Sequence, residues 1–326
     1  MPSPPPSSGD LTEVLVLSAN PAACLSRGAE VLRRGALCAF PTETVYGLGA
    51  DALVADAVEA IYLAKGRPQG NPLIVHVADV DGARRVVRRW PEAAARLAAR
   101  FWPGPLTLVL PRADGVPDIT TAGLDSVAVR MPAHAFAREL IEASGGAVAA
   151  PSANRSTAVS PTTAQHVLDE LDGQIDLLID GGPTTVGIES SVVSLLDQPR
   201  LLRPGDVSRA QLEAVLGELA GPADEGPARS PGMMSRHYAP RAAVQLLDAD
   251  AVKAGAGPDV AALVHSASPS GYADVVRLPR DARAYARGLY AALRELDARV
   301  DRIVIEEVPE DEAWAAVRDR LARAAR

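Results

Sequence analysis

Residues 40–77 read FPTETVYGLGADALVADAVEAIYLAKGRPQGNPLIVHV, and this run decides the fold. Residues 36–40 form a short apolar run suited to a buried strand. Residues 54–65 set Val54, Val58, Ile61 and Tyr62 at helical spacing, and residues 73–77 make a second buried strand. Thr42, Thr44 and the backbones of Gly47 and Gly49 therefore fall at the end of one strand, and Lys65 and Arg67 at the end of a helix. Gly66 permits an unusual backbone angle there and Pro68 stops the helix. Small hydroxyls, exposed backbone and a cation pair at element ends read as a binding floor.

Lys65 stands out against the composition, because only two of the 33 basic residues are lysine, Lys65 and Lys253. A lysine at this position suits a phosphate oxygen as a compact point charge, while Arg67 offers a planar fork to a second oxygen or a carboxylate. Cations favoured by a solvated helix end are the competing explanation of the pair.

Working outward, residues 14–17 read as an edge strand and 22–33 as a helix ending at Gly35. After the central run, helices are expected at 80–89 and 91–100, and strands at 106–110 and 126–130. A helix at 133–144 then leads to a small-residue strand at 147–150 that opens into Pro151-Ser152-Ala153-Asn154. Small residues there let backbone come close to a ligand. A helix at 162–171, strands at 175–179 and 190–195, the short run 201–203 and a helix at 207–216 close a mixed α/β unit. From about residue 220 the composition shifts to Gly, Pro and Ala, which reads as a linker. Beyond it, strands at 244–247, 260–265, 275–278 and 303–305 with helices at 282–296 and 311–324 predict a small α/β unit with parallel strands. The expected division is a disordered tail at 1–12, a catalytic unit at 13–217, a linker or lid at 218–241 and a small α/β unit at 242–326.

At 326 residues the chain is long enough for two cores. Net charge is −8, unevenly placed: residues 27–130 carry 13 basic against 11 acidic side chains, and residues 131–326 carry 20 against 28. That contrast admits an anionic ligand near the first part and argues against a broad basic face for duplex nucleic acid. Arg84, Arg85, Arg88 and Arg89 read as a solvated helix face. Cys24 and Cys38 have no metal-ligand spacing, so no zinc site is expected. No apolar run has the length of a membrane span and residues 1–10 lack the parts of a secretory signal, from which a cytoplasmic protein is expected.

Two nucleotide motifs fail. Gly47-Leu48-Gly49-Ala50-Asp51-Ala52 matches a dinucleotide fingerprint in letters but lacks a helix starting at once and an acidic residue ending the next strand, so no NAD is expected. There is no Gly-rich loop ending in Gly-Lys-Ser/Thr either. What remains is convergence: Thr42, His76, Arg130, Ser152, Asn154, Ser190 and Arg203 come from separate segments at predicted strand ends, and a sheet gathers such ends on one side. Each alone has a plainer reading: His76 as a satisfied core histidine, Arg130 bridging to a carboxylate such as Asp125, Ser152 and Asn154 capping their loop.

The segments PTETVYGLGA, KGRP, NPLIVH, WPGPLTLVL, TAGLDSVAVRMP, APSAN, GIESSVV, LLRPG and PGMMSRHYAP, in that order, resemble the threonylcarbamoyl-AMP synthase family in its long form. The match covers roughly residues 25 to 240. It implies an α/β protein with a YrdC-type twisted mixed sheet and a ligand cavity, followed by a linker and a small Rossmann-like α/β domain. By resemblance, Thr42, His76, Arg130, Ala150 and Ser190 hold L-threonine, while Lys65, Arg67, Ser126, Ser152, Asn154, Ser160, Arg203 and Tyr238 line the ATP side.

The implied reaction condenses L-threonine, bicarbonate and ATP, with Mg²⁺ on the nucleotide, into threonylcarbamoyl-AMP and pyrophosphate. The product serves modification of the tRNA adenosine beside the anticodon, with hand-over to a tRNA threonylcarbamoyltransferase partner. Lys65 and Arg67 would stabilise phosphate charge, and no side chain is nominated as general base. The alternative reading is an RNA-binding, translation-associated module without ATP turnover, against which the acidic charge and the lack of a basic strand bearing stacking aromatics both speak. The stretch Pro309-Glu310-Asp311-Glu312-Ala313-Trp314 departs from the Gly-rich pattern expected near the end of long-form relatives.

Overall fold

The computed structural model describes residues 11–220 and 238–326. Most of the expected tail and linker, His237 included, lies outside the described residues.

A ten-stranded mixed sheet organises the first part of the chain. Its strands run, edge to edge, Glu13–Val16, Leu177–Asp180, Cys38–Phe40, Gly47–Asp51, Ala147–Ala149, Ile74–Val77, Ser126–Arg130, Leu106–Pro111, Ser191–Ser194 and Arg200–Arg203. Alternation divides its residues between two faces. One face packs Leu48, Val75, Leu108, Val129 and Val193 with the helices Ala55–Lys65, Glu92–Phe101, Ala164–Leu171 and Arg209–Leu216, in the largest apolar core. On the other face, Cys38, Phe40, Leu177 and Ile179 pack against Pro21–Arg33 and Ala135–Ser144. Those two helices cover only half of that face. Toward its other end the same side carries a small apolar cluster, Ile74, Val109, Ala128, Val192 and Leu202.

Beside that cluster runs a polar row set by register. His76 pairs with Arg130, Arg130 with Thr107, and Thr107 with Val192 across four adjacent strands. Register partners share a face, so three polar side chains from three strands stand together next to an apolar floor.

The glycines of the quoted run do something other than expected. Gly47–Asp51 is a strand, antiparallel to both Cys38–Phe40 and Ala147–Ala149, and not a loop at a strand end. A Cβ at Gly49 would stand 2.6 Å from the Phe40 ring and 3.2 Å from the Cys38 carbonyl, so this glycine serves packing of the strand below the site. Two helices are also shorter than the apolar spacing suggested: residues 80–89 hold a helix only over Val80–Val86, and residues 162–171 only over Ala164–Leu171, capped by the Thr163 hydroxyl.

The second part of the chain holds a four-stranded, all-parallel sheet in the order Ala243–Leu247, Arg302–Glu306, Gly257–Val264, Tyr272–Arg277. The helix Ala282–Asp297 and the turn-helix Glu312–Trp314 and Ala315–Ala324 pack on it. A short helix at Ala249–Ala254, absent from the sequence reading, follows the first strand. The same apolar cluster takes in Val45, Val159, Ile188 and Tyr238, so the small unit sits on the loops that rim the polar row.

Candidate active site

One cleft opens over the polar row, lined by Thr42, Thr44, Val45, Gly47, Arg67, Ile74, His76, Arg130, Ala150, Pro151, Ser152, Glu189, Ser190, Arg203 and Tyr238. All five residues expected on the threonine side are in its wall. Arg67, Ser152, Arg203 and Tyr238 of the nucleotide group are there too.

The Pro41–Tyr46 loop leaves the sheet at Phe40 and is shaped by its own hydroxyls. Thr42 Oγ1 donates to the Val45 carbonyl at 2.7 Å and lies 2.9 Å from Thr44 Oγ1. Thr44 Oγ1 in turn accepts from Arg130 Nη1 at 2.9 Å. Arg130 does not bridge to Asp125, as the sequence allowed. Its Nη2 donates to Glu43 Oε1 at 2.6 Å, in an ion pair whose side chains are 5% and 8% exposed. With the longer bond from Nε to the Gly104 carbonyl, three of the five guanidinium N–H groups are used. Two remain for a ligand carboxylate.

His76 Nδ1 lies 3.3 Å from the Ile74 carbonyl. Burial, reinforced by the Arg130 charge, pushes its pKa down to about 3, so the ring is neutral at physiological pH. With Nδ1 donating to that carbonyl, Nε2 is left as an acceptor. Ser190 Oγ is 2.7 Å from Thr107 Oγ1 and accepts from Arg203 Nη2 at 3.2 Å, while Arg203 Nε donates to the Ser190 carbonyl at 3.0 Å.

Four residues of the nucleotide group stand outside the wall. Lys65 is fully buried, and its Nζ donates to the carbonyls of Ser152, at 2.5 Å, and of Asn154. Desolvation, then the neighbouring Arg67 charge, lowers its pKa well below the usual lysine value. Lys65 thus clamps the 152–154 loop from behind. Asn154 Nδ2 donates within that loop, to Arg155 at 2.9 Å and Ala158 at 2.8 Å. Ser160 Oγ donates to Glu189 Oε1 at 2.6 Å. Ser126 opens its strand opposite Pro111, at the far end from Arg130. Arg67 itself donates to the carbonyls of Asn71 and Pro72 at 3.1 and 3.0 Å, and burial draws its pKa down to about 10.

Sequence reasoning passed over Glu189, although it lies inside the quoted GIESSVV segment. Burial pushes its carboxyl up, but Arg320 and Arg203 outweigh this and hold it at about 2. Arg320 was also missed, because nothing in its helix distinguishes it from the other arginines there. The buried charges around the cleft are Lys65, Arg67, Arg130, Arg203 and Arg320 against Glu43 and Glu189. That excess of buried positive charge suits an anionic ligand.

The second unit closes the site from one side. Tyr238, 1% exposed and with φ +59°, stacks on Tyr290 at 5.9 Å between ring centroids and receives the Arg320 guanidinium over its face at 5.1 Å. Arg203 Nη1 donates to its hydroxyl at 3.3 Å. The unusual 309–314 stretch is a docking element: Glu312 accepts from the Ala210 backbone N–H at 2.7 Å, satisfying an open donor in the first turn of Arg209–Leu216. Trp314 is buried against Tyr285 and His265.

Residues 30–205 match the Sua5/YciO/YrdC family, described as telomere recombination, and residues 207–326 match the threonylcarbamoyl-AMP synthase C-terminal domain. The chain is 45% identical to the threonylcarbamoyl-AMP synthase of Pyrococcus abyssi, over 91% of this chain and 92% of that one. It is 44% identical to that of Bacillus subtilis, over 92% of each. Among solved structures, P. abyssi Sua5 complexed with L-threonine superposes with a TM-score of 0.86 at 42% identity, covering 92% of this chain and 94% of that one. A doubly substituted form of P. abyssi Sua5 gives a TM-score of 0.90 at 40% identity, covering 96% of each chain. The chain belongs to the threonylcarbamoyl-AMP synthase family.

Proposed function

We propose that this chain condenses L-threonine, bicarbonate and ATP into threonylcarbamoyl-AMP and pyrophosphate, an adenylyl transfer of the nucleotidyltransferase class. The observation that carries the proposal is the adjacency, in one cleft, of His76, Arg130 and Ser190 with a wall of Arg67, Ser152, Arg203 and Tyr238. The first set suits a small amino acid and the second a polyphosphate.

In this reading the threonine amine, once neutral, adds to bicarbonate to give a carbamate and water. A carbamate oxygen attacks the α-phosphorus, and the bond to the β-phosphate oxygen breaks with pyrophosphate leaving. Arg130 takes the threonine carboxylate through its two remaining N–H groups while Glu43 and Thr44 hold the fork still. His76 and Ser190 orient the rest of the amino acid. A histidine with a pKa of about 3 is a poor base at neutral pH, so its part is to position, and no general base is assigned. Arg67 and Arg203, with the Lys65-clamped loop behind them, offset charge gathering on the α-phosphate and leaving group.

Mg²⁺ enters with ATP as part of the substrate. Among the described residues no cluster of three or more His, Cys, Asp or Glu side chains is placed to hold it, and Glu43 and Glu189 are engaged by arginines. No described helix is long and apolar enough to cross a membrane, which fits the reading of a cytoplasmic enzyme that hands its labile product to a tRNA-modifying transferase.

Titration of L-threonine into the protein tests the amino-acid side. Arg130→Lys, which keeps the charge and loses the fork, is expected to weaken threonine at least about tenfold. Unchanged affinity would remove Arg130 from the site.

A further inference from the structure

Arg320 belongs to the small C-terminal unit, yet it is one of the most deeply buried side chains of the described residues and ends beside the cleft wall. Its Nε donates to Glu189 Oε2 at 2.8 Å, and its Nη2 donates to the Pro204 carbonyl at 3.1 Å, next to Arg203. Its guanidinium lies over the Tyr238 ring. Tyr290, from the same unit, donates to Glu189 Oε2 at 2.8 Å and stacks on Tyr238. Ser160 holds the second Glu189 oxygen. Both Glu189 and Tyr238 line the cleft, so two of its wall residues are set by contacts from the second unit.

We propose that Arg320 is a positioning residue for the nucleotide side of the cleft, fixing Tyr238 in the wall and offsetting the charge of Glu189 where the phosphates of ATP would bind. This rests on the synthase reading above. The small unit thereby completes the nucleotide wall and leaves the threonine floor, which is built from the sheet, to the first unit. The reason is electrostatic as much as steric. A buried carboxylate without its arginine repels a polyphosphate strongly in a water-poor cleft, since the polyphosphate carries several negative charges where the amino acid carries one.

The test uses the full chain and pyrophosphate release, with ATP and threonine varied separately. Wild-type turnover is measured first and tests the synthase reading by itself. Arg320→Met, confirmed folded by thermal melting, is expected to raise KM for ATP at least about tenfold while KM for threonine stays within about twofold. In a Glu189→Gln background the same substitution is expected to cost ATP much less, since the charge it leaves behind is gone. Equal losses for both substrates, no loss for either, or a Met penalty that ignores the Glu189→Gln background would each overturn the proposal. If Arg320→Met does not fold, Arg320→Lys serves: a smaller rise confined to ATP supports the assignment, and no ATP-selective change defeats it.

Discussion

At the scale of single residues, the site is built from buried ionisable groups held in one protonation state by their neighbours. His76 is kept neutral with a pKa of about 3 against an ordinary 6.5, and Glu189 is kept charged at about 2 against 4.5. The sign is the same for both. Each folded-state pKa lies below the unfolded one, so the unfolded chain binds more protons as pH falls and the contribution to stability is lost in acid. It is fully present above pH 6.5 for His76 and above 4.5 for Glu189, and disappears toward pH 3 and 2. Chemical denaturation at pH 7.5 and 4.5 should therefore differ by roughly 3 kcal/mol from His76 alone, and His76→Gln should shrink that difference. An equal acid sensitivity in the variant would contradict the buried neutral ring. The residue types were legible in the sequence, because Thr42, His76, Arg130, Ser190 and Arg203 sit at strand ends. Their partners were not: Glu43 is one letter from Thr42, but only the fold says that Arg130 turns to it and not to Asp125.

At the scale of elements, strand register does the gathering. His76, Arg130 and Thr107 share a row because three successive strands pair out of chain order, the third lying between the other two, and no local periodicity carries this information. The partners of Lys65 were hidden for a related reason. Lys65 reads as a phosphate ligand because it ends a helix next to Arg67, and only the fold shows that its ammonium also holds two loop carbonyls. Lys65→Met leaves those carbonyls without their donor and is expected to cost about 1–3 kcal/mol of stability and to weaken ATP more than threonine. Thermal melting with separate KM values checks this. A variant of unchanged stability with selective loss of ATP would instead favour direct contact between Lys65 and the phosphates.

At the scale of the whole molecule, two cores meet at the rim of one cleft. Beside the apolar contact of Val45, Val159 and Ile188 with the second core, specific polar contacts join them: Glu312 with Ala210, Arg283 with Asp206 at 3.2 Å, Arg287 with the Thr185 carbonyl at 2.8 Å, and Arg294 with Glu170 and the Val159 carbonyl. At one point backbone meets backbone. Gly187 has φ +84°, and a Cβ there would stand 2.5 Å from Arg287 Cα and 2.8 Å from the Ala286 carbonyl. Gly187→Ala must push the Ala282–Asp297 helix away, at a cost of at least about 2 kcal/mol, and should lower turnover by loosening Tyr238 in the wall. Unaltered melting and turnover would mean that the two units are not locked there. The alternation of strands and helices foretold both α/β units, while the linker expected from about residue 220 lies mostly outside the described residues. How the second unit would be used was not readable, because Arg320, Tyr290 and Glu312 look like ordinary surface letters until the fold buries or docks them.

The central claim is that one cleft brings three substrates together. Pyrophosphate release from ATP, with Mg²⁺ and with L-threonine or bicarbonate omitted in turn, tests it most directly when combined with mass detection of the adenylate. The account predicts release only when both co-substrates are present, rising with pH as the amine is freed, together with appearance of threonylcarbamoyl-AMP. Release that ignores threonine or bicarbonate, or an inert ATP alongside salt-sensitive tRNA binding, would contradict it.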